Sequence, residues 1–353
     1  MCCFRLYDKL KIQKTGDGSM SATVLVNVER GNLVESIHRG HIAIVNAKGE
    51  VLSSMGDIDK VVYARSSMKP LQAIPIVETG AADRYGLNDW DLSLTCASHN
   101  GEEQHTDRVA SILERLELKV DDLQCGTHNP RWPAAYEKLV RSGEEVTPIY
   151  NNCSGKHSGM LATARHMQET TADYYRIDHP VQQRILAVIS EMTEVPAEEI
   201  EIGIDGCGVP VHGVPMKNLA LSFAKLADPS ELSETRQQAI GKVTTAMMAA
   251  PEMVAGTERF CTDFMKVMQG KMFGKTGAEG VYCIGIPEAG IGIAVKIEDG
   301  NGRATSSVVV EVLSQLNLIN EEEKKQLASY HFPELLNARK EKIGMLRPAF
   351  SLS

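Results

Sequence analysis

Apolar and polar residues alternate with a period of two near the start of the chain, with a period close to 3.6 through its middle, and with a period of two again toward its end. The first alternation predicts a strand over 22–28. Segments 41–46 and 50–54, joined through Ala47-Lys48-Gly49, predict a hairpin. A further apolar alternation over 91–97 groups with these strands and stops at the turn Ser98-His99-Asn100-Gly101. Helical periodicity then governs 102–116, 158–169, 180–193, 214–227 and 231–249. Strands return at 201–205, 281–286 and 291–297, and a helix follows over 304–316. Strands at both ends with helices between them predict sheets built from distant parts of the chain, a mixed α/β (α+β) class. No linker rich in Pro, Ser or Gly interrupts the pattern, so 21–353 reads as a single domain with room for two lobes. Residues 1–20 are polar and Gly-bearing toward their end and read as a disordered extension or an added tail.

Composition narrows the classes. With 353 residues, 43% hydrophobic and 24% charged, and a mean hydropathy of -0.18, the chain has the make-up of a globular protein with a large core. A net charge of -9 and the lack of basic runs with interleaved aromatics exclude a nucleic-acid partner. No run of about 18 apolar residues predicts a membrane span. The charged start Met1-Cys2-Cys3-Phe4-Arg5 lacks the apolar stretch of a signal peptide, which predicts a cytoplasmic protein. Eight cysteines scattered without a CxxC predict reduced thiols rather than a disulfide framework.

Candidate chemistry begins at Arg65-Ser66-Ser67-Met68-Lys69-Pro70. A serine and a lysine three apart on a helix share one face, and Pro70 places the pair at a helix start. A serine attacks once its proton is removed, and a lysine removes it once desolvation or a nearby cation lowers its pKa. The same spacing at Ser222 and Lys225 falls inside a helix-periodic apolar segment and reads as structural. Lys275-Thr276-Gly277, with Ser66-x-x-Lys69 and Ser98-His99-Asn100, completes in order the SxxK, SxN and KTG set of penicillin-recognising serine enzymes, although Lys14-Thr15-Gly16 repeats the third element.

Three Gly-bearing turns compete for the site: 96–102, 151–159 and 205–210. The second is no phosphate loop, since Tyr150 stands where the first glycine is needed and His157 where Ser or Thr is needed. Cys153 and Lys156 there, with Cys207 and Asp205 in the third turn, could hold tetrahedral zinc. Lysine is an unusual zinc ligand, and the residues by themselves favour two buried structural cysteines.

Together, Arg65-Ser66-Ser67-Met68-Lys69-Pro70, Cys96-Ala97-Ser98-His99-Asn100-Gly101-Glu102, Asn152-Cys153-Ser154-Gly155-Lys156-His157 and Asp205-Gly206-Cys207-Gly208-Val209-Pro210 resemble the thermolabile, Rhizobium-type L-asparaginases. The resemblance implies a fold similar to the serine β-lactamases and related glutaminases, with an antiparallel sheet, helices and a helical insertion. It also implies a homodimer that hydrolyses L-asparagine to L-aspartate and ammonia. Carried onto this chain, it pairs Ser66 with Lys69 and Ser98 with Lys275 as catalytic groups. It further implies zinc on Cys153, Lys156 and Cys207 with Asp205 close by, and Arg65 and His157 as candidates to orient the substrate. A glutaminase of the same fold and a non-catalytic zinc-stabilised protein are the alternatives.

Overall fold

A computed structural model describes residues 21–352; the extension expected over 1–20 lies outside the described residues. The chain divides into two compact units, each assembled from separated segments. The first takes the described residues of Met1–Ser67 and Val267–Ser353, with Val214–Asp228 between them in sequence. The second takes Met68–Gly213 and Pro229–Lys266.

The first unit is an eight-stranded antiparallel sheet with helices packed on it, of the mixed class that the sequence pattern predicts. Along the sheet run Glu334–Leu336, Lys342–Pro348, Thr23–Arg30, Leu33–Asn46, Ile291–Ile297, Val281–Ile286 and Phe273–Gly277, and Val51–Met55 also pairs with Leu33–Asn46. Alternation at the two chain ends thus meets in one sheet, through the pairs Thr23–Arg30 with Lys342–Pro348 and Leu33–Asn46 with Ile291–Ile297. The predicted hairpin, Val281–Ile286 and Ile291–Ile297 are all present. Helix Met216–Ala227 packs against the central strands. Its Ser222 donates to the Leu219 carbonyl at 2.7 Å, the self-satisfied structural role expected of the second serine–lysine pair.

The second unit is helical, with one two-stranded hairpin formed by Glu201–Ile204 and Pro210–Pro215. At its centre lies helix Lys69–Glu78, buried along its whole length from Lys69 to Ile76, as a helix with no polar face must be. Helices Ser154–His166, Pro180–Thr193 and Glu234–Ala249 pack around it.

One expected element changes type. The alternating segment 91–97 is mostly helix, Asp89–Thr95, not strand-like backbone. Asn88 caps it by accepting from the amides of Trp90 and Asp91, while the Asp91 carboxylate accepts from the Asn88 amide. The run is apolar on alternate positions because this short helix is buried on most sides, from Asp91 to Thr95. No helix among the described residues is long and apolar enough to cross a membrane, and the six described cysteines are free.

Asp91 is fully buried and also accepts from Arg108 at 3.1 Å and Arg115 at 2.9 Å. Asp91→Ala removes a cap and the buried carboxylate shared by two guanidinium groups, which keep Asn88 and backbone carbonyls as acceptors. It should therefore cost about 1–3 kcal/mol of stability in urea denaturation. A loss below about 1 kcal/mol would show that the cluster is not structural.

Candidate active site

The turn Arg65–Met68 is 3-10 helical and runs into helix Lys69–Glu78, with Pro70 in the first α-turn where its missing amide costs nothing. Lys69, 1% exposed, therefore enters the core at the start of a buried helix. Its Nζ donates to the Ala97 carbonyl, contacts Ser98 Oγ at 3.1 Å and Cys153 Sγ at 3.2 Å. Burial pushes the Lys69 pKa down and Lys156 adds to the shift, while Cys153 works the other way; the net direction is down. A buried amine biased toward its neutral form, touching a serine hydroxyl, can accept that hydroxyl's proton.

Ser98 follows the short helix Asp89–Thr95, in a segment fixed by its backbone. The Ser98 amide donates to Val254 O at 2.9 Å, and the His99 amide to Asn152 O at 3.2 Å. His99, fully buried, accepts from the Gly101 amide at Nδ1 and faces Ser154 Oγ at 2.9 Å through Nε2. Ser154 Oγ gives its own proton to Ile149 O, so the His99 proton sits on Nε2. Burial, helped by His105 and Lys69, keeps His99 neutral.

Cys153 immediately precedes helix Ser154–His166, and Lys156 follows one turn later. The helix begins four residues ahead of the expected 158 because Gly155 permits close contact: a Cβ there would lie 2.3 Å from Leu94 O. Lys156 Nζ donates to Cys207 Sγ at 3.0 Å, and Cys207, in the turn of the hairpin, lies 4.0 Å from Asp205 Oδ2. Hydrogen bonding from Cys153 and the charge of Lys156 pull the Cys207 pKa down to about 5. Donating that bond, together with burial, pushes Cys153 up to about 12. Burial opposes the charge on Lys156, but Cys207, Cys153 and Asp205 outweigh it and hold the ammonium. The cluster is thus a thiolate, a thiol, a charged amine and a second amine biased to neutrality.

His157 Nδ1 sits 2.6 Å from the Tyr174 hydroxyl, which already accepts from the Gln124 amide and so donates to the ring. The His157 proton is left on Nε2, which is buried without a partner. His212, in the same hairpin as Cys207, has both ring nitrogens buried and unpartnered, and burial beside Lys156 lowers its pKa to about 4. The sequence reading missed His212, as it missed Tyr174; neither lies in a motif.

Among the described residues no group of three or more His, Cys, Asp and Glu side chains is arranged to hold a metal. A metal held by Cys153 and Cys207 would need Lys156 as its third ligand. The donors fit zinc in kind, two soft sulfurs and an amine, with orphaned imidazole nitrogens in the surrounding shell.

The second unit therefore brings together Lys69, Ser98, Cys153, Lys156, Cys207 and Asp205, with His157 beside them. In the first unit, Ser66 is half-buried in the 3-10 turn and Arg65 has a left-handed φ of 52°. Ser67 is spent on the Ala64 carbonyl at 2.7 Å. Lys275 is buried on strand Phe273–Gly277 opposite Cys283 and donates to Thr276 O. A Cβ at Gly277 would meet Ala64 O at 2.5 Å and Ser67 N at 3.3 Å, so the serine turn packs on the strand face toward which residue 277, and by alternation Lys275, points.

The profile of the L-asparaginase II family matches residues 26–348, nearly the whole chain. The chain belongs to the L-asparaginase II family. Membership makes it a hydrolase of asparaginase type. No curated protein sequence matches it. Among solved structures it is similar to a beta-lactamase from Mycobacterium bovis, at 15% identity over 83% of this chain and 95% of that one, with a TM-score of 0.41. It is also similar to the D-alanine carboxypeptidase AmpC from Burkholderia cenocepacia, at 17% identity over 83% and 92% with a TM-score of 0.36. Simvastatin synthase from Aspergillus terreus, as a LovD6 mutant, gives 13% identity over 79% and 91% with a TM-score of 0.40. At TM-scores below 0.5 these likenesses add nothing to the family assignment.

The helix contact at Gly155 positions both Cys153 and Lys156. Gly155→Ala should force helix Ser154–His166 away from Leu94, costing about 1–3 kcal/mol in chemical denaturation. Unchanged stability would show that the close approach is not required.

Proposed function

We propose that this protein is an L-asparaginase that hydrolyses the side-chain amide of L-asparagine through a serine-linked acyl-enzyme, with a buried lysine as the base. Family membership supports the reaction class, and the contact of Lys69 Nζ with Ser98 Oγ at 3.1 Å supports the base. Burial favours neutral Lys69, which takes the serine proton as the hydroxyl oxygen bonds to the amide carbon. The proton then passes to the amide nitrogen, the C–N bond breaks and ammonia leaves. Water adds to the β-aspartyl ester, returns the hydroxyl to serine and releases L-aspartate. Ser98 is the serine in contact with the amine. Ser66, three residues before Lys69 in the chain, is the second candidate for acylation, with Ser98 then relaying the proton and Lys275 supplying a cation.

Zinc belongs to the same proposal. Cys153, Lys156 and Cys207 would hold it, with Asp205 close by, and the depressed pKa of Cys207 prepares one thiolate. Lys156 must lose its proton on binding. Two thiolates offset the ion's charge, so its contribution is to order the pocket rather than to make the nucleophile. His157 and Arg65 are proposed to orient the substrate. A homodimer is proposed from the resemblance, and a cytoplasmic location from the scattered cysteines.

Lys69→Met should lower kcat/KM for L-asparagine by at least about a thousandfold while leaving thermal stability unchanged or higher, because an apolar chain replaces a buried amine. Peptide mapping of the quenched reaction should find an added aspartyl group on the Ser98 or the Ser66 peptide. Full activity of Lys69→Met, or ammonia released from L-glutamine but not from L-asparagine, would overturn the reading.

Elemental analysis tests the metal separately. The protein should carry about one zinc per chain, and Cys153→Ser/Cys207→Ser should carry none. Chelation should raise KM more than it lowers kcat; full activity of the zinc-free double variant would remove the metal from the site.

A further inference from the structure

The same segment that carries Ser98 organises a pair of arginines. Asn100, 3% exposed, is bonded through its carbonyl and both side-chain polar atoms: its carbonyl accepts from the amides of Arg131 at 2.8 Å and Trp132 at 3.0 Å. Its Nδ2 donates to Thr257 O at 3.0 Å and Glu102 Oε1 at 3.2 Å, and its Oδ1 accepts from Arg259 Nη1 at 2.7 Å. Arg131 and Arg259 are thus hung on one residue, two positions past Ser98. They are close enough that Arg259, after burial, helps lower the Arg131 pKa, while Cys153 works against the shift.

The loop that supplies Arg259 is held in a strained path. Gly256 has φ +105°, and a Cβ there would lie 2.3 Å from Glu102 Oε1. Glu258, with a side chain, has φ 56°. The Thr257 amide and hydroxyl both donate to Glu102, at 2.7 and 3.0 Å, and Glu102 also accepts from Gln104 at 2.7 Å. Strain held in place by this many bonds is the kind kept where a side chain must be aimed. Glu102 is consumed by these donors, and among the described residues no carboxylate pairs with Arg131 or Arg259. Arg131 is exposed and Arg259 half-buried, so their free N–H groups are within reach of a ligand. Arg259, held by Asn100 two positions past Ser98, and Arg131, anchored on the same residue through its backbone amide, present guanidinium forks matched to a carboxylate.

We propose that Arg259, with Arg131 beside it, binds the α-carboxylate of the amino-acid substrate and selects for it, while the side-chain amide lies at the Lys69–Ser98 pair. This assignment rests on the amidohydrolase reading above and adds two specificity residues to the Arg65 and His157 proposed there.

The test compares ammonia release from L-asparagine and from its α-carboxamide, which lacks the carboxylate. Arg259→Gln and Arg131→Gln should each raise KM for L-asparagine at least about tenfold with kcat within about threefold, and should leave KM for the α-carboxamide unchanged. Arg259→Lys should restore part of the loss, because a point charge replaces the fork. Equal effects on both substrates, or none, would overturn the assignment. If the unaltered protein hydrolyses neither compound, the amidohydrolase reading fails and calorimetry with L-aspartate decides the arginines separately. Binding that Arg259→Gln weakens at least about tenfold supports the carboxylate site; no binding, or equal binding, refutes it.

Discussion

The candidate site is built around an amine that has been taken out of water. Moving an ammonium into a protein interior costs several kcal/mol even after relaxation, and neutralising it is the ordinary escape. Lys69 is buried with a carbonyl, a serine hydroxyl and a thiol at its Nζ. The surroundings supply acceptors without supplying a full counter-charge. In the proposed reaction that combination makes Lys69 a base rather than half of an ion pair. It depends on helix Lys69–Glu78 being buried on every side, since a water-filled face would restore the ammonium.

The neighbouring amine has the opposite fate under the same burial. Without a metal, Lys156 stays charged because a thiolate faces it at 3.0 Å and Asp205 lies near, and that charge in turn discourages protonation of Lys69. The two lysines are thus pushed in opposite directions, Lys69 down and Lys156 up, and so are the two cysteines, Cys153 up and Cys207 down. Pairs of titratable groups pushed apart in this way are a signature of sites that move protons. The neutral histidines around them, His99, His157 and His212, add polar edges without adding charge.

Much of this was legible in the sequence because the chemistry sits in turns with fixed residue types. The Ser98, Cys153 and Cys207 turns converge, although they are separated by more than fifty residues in the chain, and the second serine–lysine pair proved structural for the reason its apolar setting gave. What periodicity could not show was type where burial is complete. Segment Asp89–Thr95 is inside on most sides, so its pattern carried no helical stripe, yet the Asn88 and Asp91 capping pair was in plain view. Helix Ser154–His166 begins at residues that look like a polar loop, because Gly155 exists for contact with Leu94 and not for a turn. Arg259 had no motif at all. Its placement comes from a hydrogen bond that crosses 159 positions to Asn100, a distance over which a single sequence gives no signal.

The protonation state of Lys69 is the point on which the account turns, and heteronuclear NMR of its Nζ, assigned by loss of the signal in Lys69→Met, measures it. The account predicts a titration midpoint below the ordinary lysine value of about 10.4. A midpoint at or above that value would contradict it, because the amine would then be a structural cation with no proton to accept.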